Sequence, residues 1–466
     1  LRDAVFSRQR YWGEPFPVYY KDNLPVMIDE KYLPIELPDV SKYLPTEDGK
    51  PPLGNSNSWA WDTIQNKIVD NFHIDNKTVF RMELNTMPGW AGSSWYFNRY
   101  MDPNNSNEFA SEESLNYWKE VDVYIGGSEH ATGHLLYSRF WQYFLYDLGL
   151  VPVKDYAKKL INQGMILGNS AFIKREVGTD NYYSDEINKD VKTQLIHVDV
   201  QFINTSNELD IVKLRNWQPQ FKKANFETND NKFIVCREVE KMSKSKYNVI
   251  NPDDICEDYG ADTLRLYEMF LGPLEQAKPW NTAGITGTYS FLKKYWNLFH
   301  RSGSFKVSQD KPSNESLKVL HKTIRKIEDD INNFSFNTSV SAFMICVNEL
   351  NSLKCDNIHI LKPLTILLSP FAPHICEEIW SKLGNKKTIS YESFPDFNAE
   401  FIKETAFEYP VSFNGKMKFK INLDVSLKVD EIKSSLRNDS RLEKFLIGRE
   451  IKKIIVVPGK IINIVC

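Results

Sequence analysis

In KEVDVYIGGSEHATGHLLYSRFWQYFLYDLGL, residues 119–150, a strand runs into a helix through a pair of glycines. Residues 119–127 read as a strand that ends on Gly126-Gly127. A helix is predicted from Ser128 to Leu150. Ser128 is placed to cap its first turn, and Glu129 suits the positive end of its dipole. Leu135, Leu136, Phe140, Trp141, Phe144 and Leu145 recur at helical spacing. KKLINQGMIL at 158–167 reads as a second buried strand. Strand, helix and strand over this distance imply a right-handed parallel crossover, hence an α/β fold. In open parallel sheets ligands bind where strands end and helices begin, and glycines there let a ligand approach the backbone.

Outward from this unit the pattern changes several times. Residues 1–60, rich in Pro and Tyr, read as loops and short strands. Residues 168–237 are polar, with weak alternation at Leu195, Ile196, Val198, Val200 and Phe202, and look like a small inserted module. EVEKMSKSKYNVI at 238–250 is a Lys/Ser-rich loop, followed by a predicted helix over Ala261–Leu271 that Gly272-Pro273 stops. Four amphipathic segments near 285–301, 314–333, 337–353 and 359–383, joined by short polar turns, predict a helical bundle. From 410 onward strands alternate, with a helix near 429–445, strands around 452–457 and 461–465, and a Pro458-Gly459 turn between the last two.

At 466 residues the chain is too long for one core and calls for two to four domains. No run approaches the roughly 20 apolar residues of a membrane helix, and no signal segment opens the chain. The start at Leu1 suggests a fragment. Six scattered cysteines without a C-x-x-C pair argue against a zinc ribbon and for reduced cytosolic thiols. Pro410–Cys466 carries 12 Lys and Arg against 6 Asp and Glu, so a +6 tail follows a body of −9. Such a tail suits contact with a polyanion, or simply a well-solvated surface.

Four clusters can carry chemistry. Lys241-Met242-Ser243-Lys244-Ser245 is a cationic arm able to neutralise charge growing on a phosphate, or an exposed basic turn. It is not a P-loop, since no G-x-x-x-x-G-K-[ST] is present. His130 and His134 share a helix face at i, i+4, a spacing open to a metal, to an organic-substrate pocket or to packing. The zinc-protease pattern needs Glu directly after the first His, where Ala131 stands. Residues 86–96 interleave small and aromatic residues, as a pocket wall or as core, with Ser93 a possible donor. Ser7-Arg8-Gln9-Arg10-Tyr11-Trp12 suits phosphate contacts and base stacking, or a loop pinned by arginine hydrogen bonds.

Together and in this order, these stretches resemble the class I aminoacyl-tRNA synthetases, and within them the leucyl-tRNA synthetases of the bacterial type. SRQRYWGEPFPV at 7–18, TMPGWAGSSWYFNRYMDP at 86–103, VDVYIGGSEHATGHLLYSRFW at 121–141 and KMSKSKYNVINPDD at 241–254 carry the resemblance. LSPFAPHICEEIW at 368–380, FNGKMKFKI at 413–421 and KKIIVVPGKIINIVC at 452–466 extend it. It implies the C-terminal part of a Rossmann-like catalytic domain at 1–167 and a leucine-specific-type insertion at 168–237. The KMSKS loop and connecting helices would follow at 238–284. A helical bundle of the anticodon-binding-domain type would span 285–405, and a small basic α/β tRNA-binding domain 406–466.

The implied activity is leucine–tRNA ligation. ATP with Mg²⁺ activates leucine, which passes to tRNA(Leu), in the cytoplasm and without a membrane. By carry-over, Lys241 and Lys244 are catalytic, and Met242, Ser243, Lys244 and Ser245 touch ATP. Gly126, Gly127 and Glu129 lie along its ribose, and Gln163 and Met165 near its adenine. Trp90, Ser93, Tyr124, His130 and His134 surround leucine. Arg8 and Arg10, with Lys452 and Lys453 in the basic tail, meet tRNA.

Three departures qualify the match. The family's N-terminal H-x-G-H element is missing among eight histidines, no trace of the editing domain precedes SRQRYWG, and no cysteine cluster supplies a zinc module. The resemblance therefore implies a partner, the N-terminal half of the same enzyme, without which the chain is inactive, and no protein-bound zinc. Rival readings are a non-catalytic tRNA-binding chain, the smaller subunit of a split synthetase, a sibling synthetase for isoleucine or valine, and a metal hydrolase using His130 and His134.

Overall fold

Prolines and tyrosines break the first 60 residues into short elements, and aromatic side chains gather them into a core. The computed structural model describes residues 5–301, 303–403, 406–446 and 448–466. The chain divides into two compact units, one up to Ile166 together with Glu275–Lys278, the other Leu167–Leu274 together with Pro279–Cys466.

In the first unit Val18–Lys21 and Leu24–Met27 form a hairpin. Its turn residues Asp22 and Asn23 have φ of 51° and 62°, the left-handed region that short polar residues tolerate best after glycine. Ala60–Asp62 lies between Lys67–Val69 and Val79–Arg81 in an antiparallel sheet. Tyr11, Leu53, Trp59, Trp61 and Met82 bury together. The Trp59 indole N–H donates to the Glu83 carbonyl at 2.8 Å, so its polar atom is satisfied in the core.

Tyr124–Gly127 and Leu160–Gln163 pair in parallel, with Gly127 opposite Gln163, as the strand–helix–strand order predicts. The helix between them starts later than expected. Ser128–His130 makes one 3-10 turn, and the α-helix runs His134–Asp147. Gly133, at φ −110° and ψ −92°, is its N-cap; a residue of poor helix propensity interrupts the run, leaving Ser128 in the earlier turn. The inward face is also polar. Ser138 and Gln142 are the buried residues, while Leu136 and Phe140 are 64% and 68% exposed. Gln142 accepts from Asn98 at 3.0 Å and donates to the Val153 carbonyl at 2.8 Å. Such pairing makes burial of an amide tolerable.

The expected strand at 158–167 splits into Leu160–Gln163 and the start of Ile166–Glu176, and only Ile161 is buried in the first piece. The break falls at Gly164-Met165, where Lys278 N–H donates to the Met165 carbonyl at 3.0 Å. A Cβ on Gly164 would stand 2.0 Å from the Gln276 carbonyl carbon and 2.4 Å from Ala277 N. Backbone cannot yield as a side chain can. Gly164→Ala is therefore expected to destabilise the chain by about 1–3 kcal/mol, measured as a lower urea midpoint. An unchanged midpoint would show that this backbone relaxes freely.

In the second unit Thr193–Val198 and Cys236–Lys241 each pair antiparallel with Ile166–Glu176. Asn181–Tyr183 joins the end of that strand, and Asn225–Glu227 adds to Asn181–Tyr183 in parallel. Ala171, Ile173, Tyr182, Leu214, Phe221 and Phe233 are among the residues filling this small module's own core.

Helices Pro252–Tyr259 and Ala261–Phe270, the second as predicted, follow the loop; then Ile285–Leu298, Asn314–Asn332, Phe336–Ser352, Ile358–Leu368 and Pro373–Lys382 pack around Tyr295, Ile324, Phe343, Leu364 and Trp380. The segment expected as one helix at 359–383 is two. Pro370 and Pro373 lack the N–H and clash with the preceding turn, so the helix ends and restarts. The first connection holds a short hairpin, His300–Arg301 with Ser304–Phe305, rather than a bare polar turn.

The remaining strands order as Lys416–Asp424, Ala406–Phe413, Ile461–Val465, Lys453–Val457. The helix expected near 429–445 is also divided, into Val429–Arg437 and Arg441–Leu446. The Asp439 carboxylate accepts the Arg441 backbone N–H at 2.9 Å and so caps the restart. Among the described residues no helix is long and apolar enough to cross a membrane.

Candidate active-site residues

The first unit gathers most of the sequence-derived site. At the end of the parallel pair, Gly126 lies opposite Asn162 and Gly127 opposite Gln163. A Cβ on Gly126 would meet open space, so no packing demands a glycine there and the backbone is approachable. The Glu129 carboxylate folds back over Gly127, its oxygens within 2.6 Å of where a Cβ would be. Met165, just past the strand, offers its carbonyl to Lys278 N–H.

At the helix start the His134 Nε2 lies 2.6 Å from the Tyr124 hydroxyl, which is 2.8 Å from the Tyr96 hydroxyl. Burial, helped by Tyr96, pushes the Tyr124 phenol well above its ordinary range. The His134 Nδ1 is buried and has no hydrogen-bond partner among the described residues. A buried nitrogen left unpaired costs free energy, unless something else meets it. Tyr96 lies in the 86–96 stretch that suits a pocket wall, but nothing local singles it out as a site residue. It stands three residues after Ser93, but its pairing with Tyr124 spans 28 positions.

His130 stays exposed, with Nε2 at 3.8 Å from the Glu129 carboxylate. Trp90 lies against Gly133, stacks on Tyr137 at 5.1 Å, and carries the Arg8 guanidinium over its ring at 5.6 Å. Ser93 closes the short helix Trp90–Ser93. Arg8 is pinned: its backbone pairs with Thr86, and its guanidinium donates to the Val5 and Ser7 carbonyls. Arg10 is exposed, beside a buried Tyr11 and an exposed Trp12 that stacks on Tyr43.

Burial first, and then the neighbouring His130, lower the pKa of His134 from its ordinary 6.5. The unfolded chain therefore takes up this proton more readily than the folded one. His134 costs no stability above pH 6.5, and as pH falls below that value the fold progressively loses stability through it. An NMR titration should place the His134 midpoint below 6.5. A midpoint at or above 6.5 would contradict the burial argument.

In the second unit, strand Cys236–Lys241 delivers the Lys241–Ser245 loop. The Ser243 N–H donates to the Asn248 side-chain oxygen at 2.9 Å, and the Ser243 and Ser245 hydroxyls pair at 2.9 Å. Lys244–Lys246 form a 3-10 turn, and Tyr247 sits in the left-handed region at φ 51°. Met242 is half-buried, while Lys241 and Lys244 are exposed and, among the described residues, form no ion pair. Lys452 and Lys453 stand apart from this loop in sequence, exposed at the edge of the C-terminal sheet. Among the described residues no group of three His, Cys, Asp or Glu side chains is placed to hold a metal.

Two family models match. Residues 212–280 match "tRNA synthetases class I (I, L, M and V)" and residues 314–433 the "Anticodon-binding domain of tRNA ligase". The leucine–tRNA ligase of Flavobacterium psychrophilum is 62% identical over the whole chain, and that of Bacteroides thetaiotaomicron 52%; each alignment covers 49% of the relative. The chain thus spans about half the length of the curated relatives it matches. The LeuRS of a ternary LeuRS–tRNA–LeuAMS complex from Agrobacterium radiobacter K84 superposes with a TM-score of 0.63 at 26% identity, over all of this chain and 52% of that one. With mixed α/β architecture, both family segments in order and a match along its whole length, the chain is similar throughout to about half of the leucine–tRNA ligases, and in part to the class I tRNA synthetase family.

Proposed function

We propose that the protein to which this chain belongs joins leucine to tRNA(Leu) with ATP, in the cytoplasm. The observation that carries this reading is the 62% identity to a leucine–tRNA ligase over every part of the chain. In the first step the leucine carboxylate attacks the α-phosphorus of ATP. A P–O bond forms, the bond to the bridging oxygen breaks, and pyrophosphate leaves with leucyl-adenylate remaining. In the second, a hydroxyl of the terminal tRNA adenosine attacks the leucyl carbonyl and AMP leaves. The catalytic task is positioning and charge stabilisation. ATP comes as its magnesium complex.

Trp90, Ser93, Tyr96, Tyr124, His130 and His134 form the leucine pocket on this reading. A ligand atom reaching the unpaired Nδ1 of His134 would remove the cost of leaving it alone. The open space over Gly126 admits the ribose, Glu129 holds its hydroxyls, and Gln163 and Met165 border the adenine. Lys241 and Lys244 neutralise the triphosphate as charge builds, with Met242, Ser243 and Ser245 framing it. Arg8 and Arg10 guide the acceptor end, and Lys452 and Lys453 take phosphates of the tRNA body. The proposed domains are a Rossmann-like part at 1–167, an insertion at 168–237, the loop and its helices at 238–284, a bundle at 285–405 and a basic module at 406–466.

Leucine-dependent ATP–pyrophosphate exchange tests this, using the chain mixed with the H-x-G-H-bearing half of the protein. Exchange should appear on mixing and with leucine. Exchange with isoleucine or valine instead would move the assignment to a sibling enzyme. Exchange with no amino acid, by a mixture shown to associate, would favour a non-catalytic tRNA-binding role.

A further inference from the structure

We infer that Glu240 is a positioning residue for the Lys241–Ser245 loop, clamping it to the inserted module through Lys246 and His197. Its catalytic consequence rests on the reading of that loop as the triphosphate-binding element.

Glu240 stands at the foot of the loop, one residue before Lys241. One of its carboxylate oxygens lies 2.6 Å from the Lys246 Nζ, just beyond the loop, and the other 2.9 Å from the His197 Nε2. His197 belongs to Thr193–Val198, Glu240 to Cys236–Lys241, and both strands flank Ile166–Glu176. The clamp therefore ties both limbs of the loop to a strand of the module. All three side chains are a third exposed or less. The Lys246–Glu240 ion pair at that depth is screened less by salt than a surface pair. Lys246 first, and hydrogen bonds from Ser170 and His197 after it, hold the Glu240 carboxyl down at about 2, so Glu240 is ionised at neutral pH.

Three further attachments act in the same sense. The buried Asn248 amide donates to the Ser170 hydroxyl at 2.8 Å and to the Lys241 carbonyl at 3.3 Å. Val200 N–H donates to the Tyr247 carbonyl at 3.1 Å. The Tyr247 ring meets Trp217 edge-on at 4.6 Å. Gly168 leaves room for this: a Cβ there would stand 2.7 Å from the Asn248 carbonyl oxygen. The module thus grips the loop beyond its tip, while Lys244 and Ser245 at the tip stay exposed. Charge divides in the same way. Glu240 takes Lys246, and Lys241 and Lys244 are left for phosphates.

Hydrogen exchange of the intact chain, read by mass spectrometry over 241–248, tests the clamp without requiring catalysis. Glu240→Ala should raise loop exchange about tenfold and leave peptides around Phe233 in the module core unchanged. Glu240→Gln, which keeps an acceptor for Lys246 and a polar partner for His197, should restore most of the protection. His197→Ala should loosen the loop in the same direction, and adding it to Glu240→Ala should loosen it no further, as expected for one connected unit. Lys189→Ala, which breaks the Lys189–Glu227 pair elsewhere in the module, should leave the loop at wild-type exchange. Wild-type exchange in both Glu240→Ala and His197→Ala overturns the proposal, as does equal loosening by Lys189→Ala. If Glu240→Ala fails to fold, His197→Ala alone decides, because it keeps the Lys246 pair. Failure of pyrophosphate exchange would overturn the function reading and leave this result standing.

Discussion

Lys244→Ala is expected to lower leucine-dependent pyrophosphate exchange by the reassembled enzyme about 10²–10³-fold, the scale for losing one group that stabilises transition-state charge. The side chain is exposed and, among the described residues, has no ionic partner, so nothing in the fold needs it. Its removal should shift the chain's urea midpoint by less than about 0.5 kcal/mol in stability. The loss should fall mainly on kcat, since an interaction made only as charge builds does not contribute to ground-state binding. Lys244→Arg should recover part of the rate, as a planar guanidinium keeps the charge but not the compact ammonium. Exchange within threefold of wild type would remove Lys244 from the catalytic role.

Asp262→Ala is expected to destabilise the chain by about 2–4 kcal/mol. The Asp262 carboxylate, 7% exposed, accepts the backbone N–H of His374 at 3.2 Å and of Ile375 at 2.7 Å, and lies 2.9 Å from the His374 Nδ1. It thereby caps Pro373–Lys382, whose own N-cap, Ala372, offers no side-chain hydrogen bond. A lost cap costs about 0.5–2 kcal/mol, and a part-buried donor left unpaired adds up to about 1–3 kcal/mol. The His374 side chain is 72% exposed, so the ion pair itself adds little. Asp262→Asn keeps one acceptor and should cost roughly half as much. Urea unfolding followed by the fluorescence of buried Trp380 measures both, and a loss under 1 kcal/mol for Asp262→Ala would show that solvent takes over the cap.

Much of the candidate site was legible because its signals are local. A strand, a helix and a second strand in close succession announced the parallel pair of Tyr124–Gly127 and Leu160–Gln163. KMSKS read as an exposed basic loop because two lysines among serines have no apolar face to bury. Pro458-Gly459 made a turn with Gly459 at φ 65°. Other features were hidden. The late start at His134 depends on how Gly133 is held, and the apolar spacing of that helix did not say that Ser138 and Gln142 face inward. Tyr96 could not be picked from its neighbours, since its role is set by Tyr124 and His134.

What the sequence alone determined is therefore the order of strands, helices and loops, the family resemblance, and the residues from which a site can be assembled. Backbone preference and side-chain periodicity act over a few residues and are written along the chain. Only the tertiary structure decided that Asp262 caps a helix 112 residues away, that Glu240 joins His197 to Lys246, and that Gly164 must lack a side chain. A hydrogen bond or a clash is fixed within a few tenths of an ångström. Packing brings such groups together from distant positions, and no local rule of composition or spacing encodes that distance.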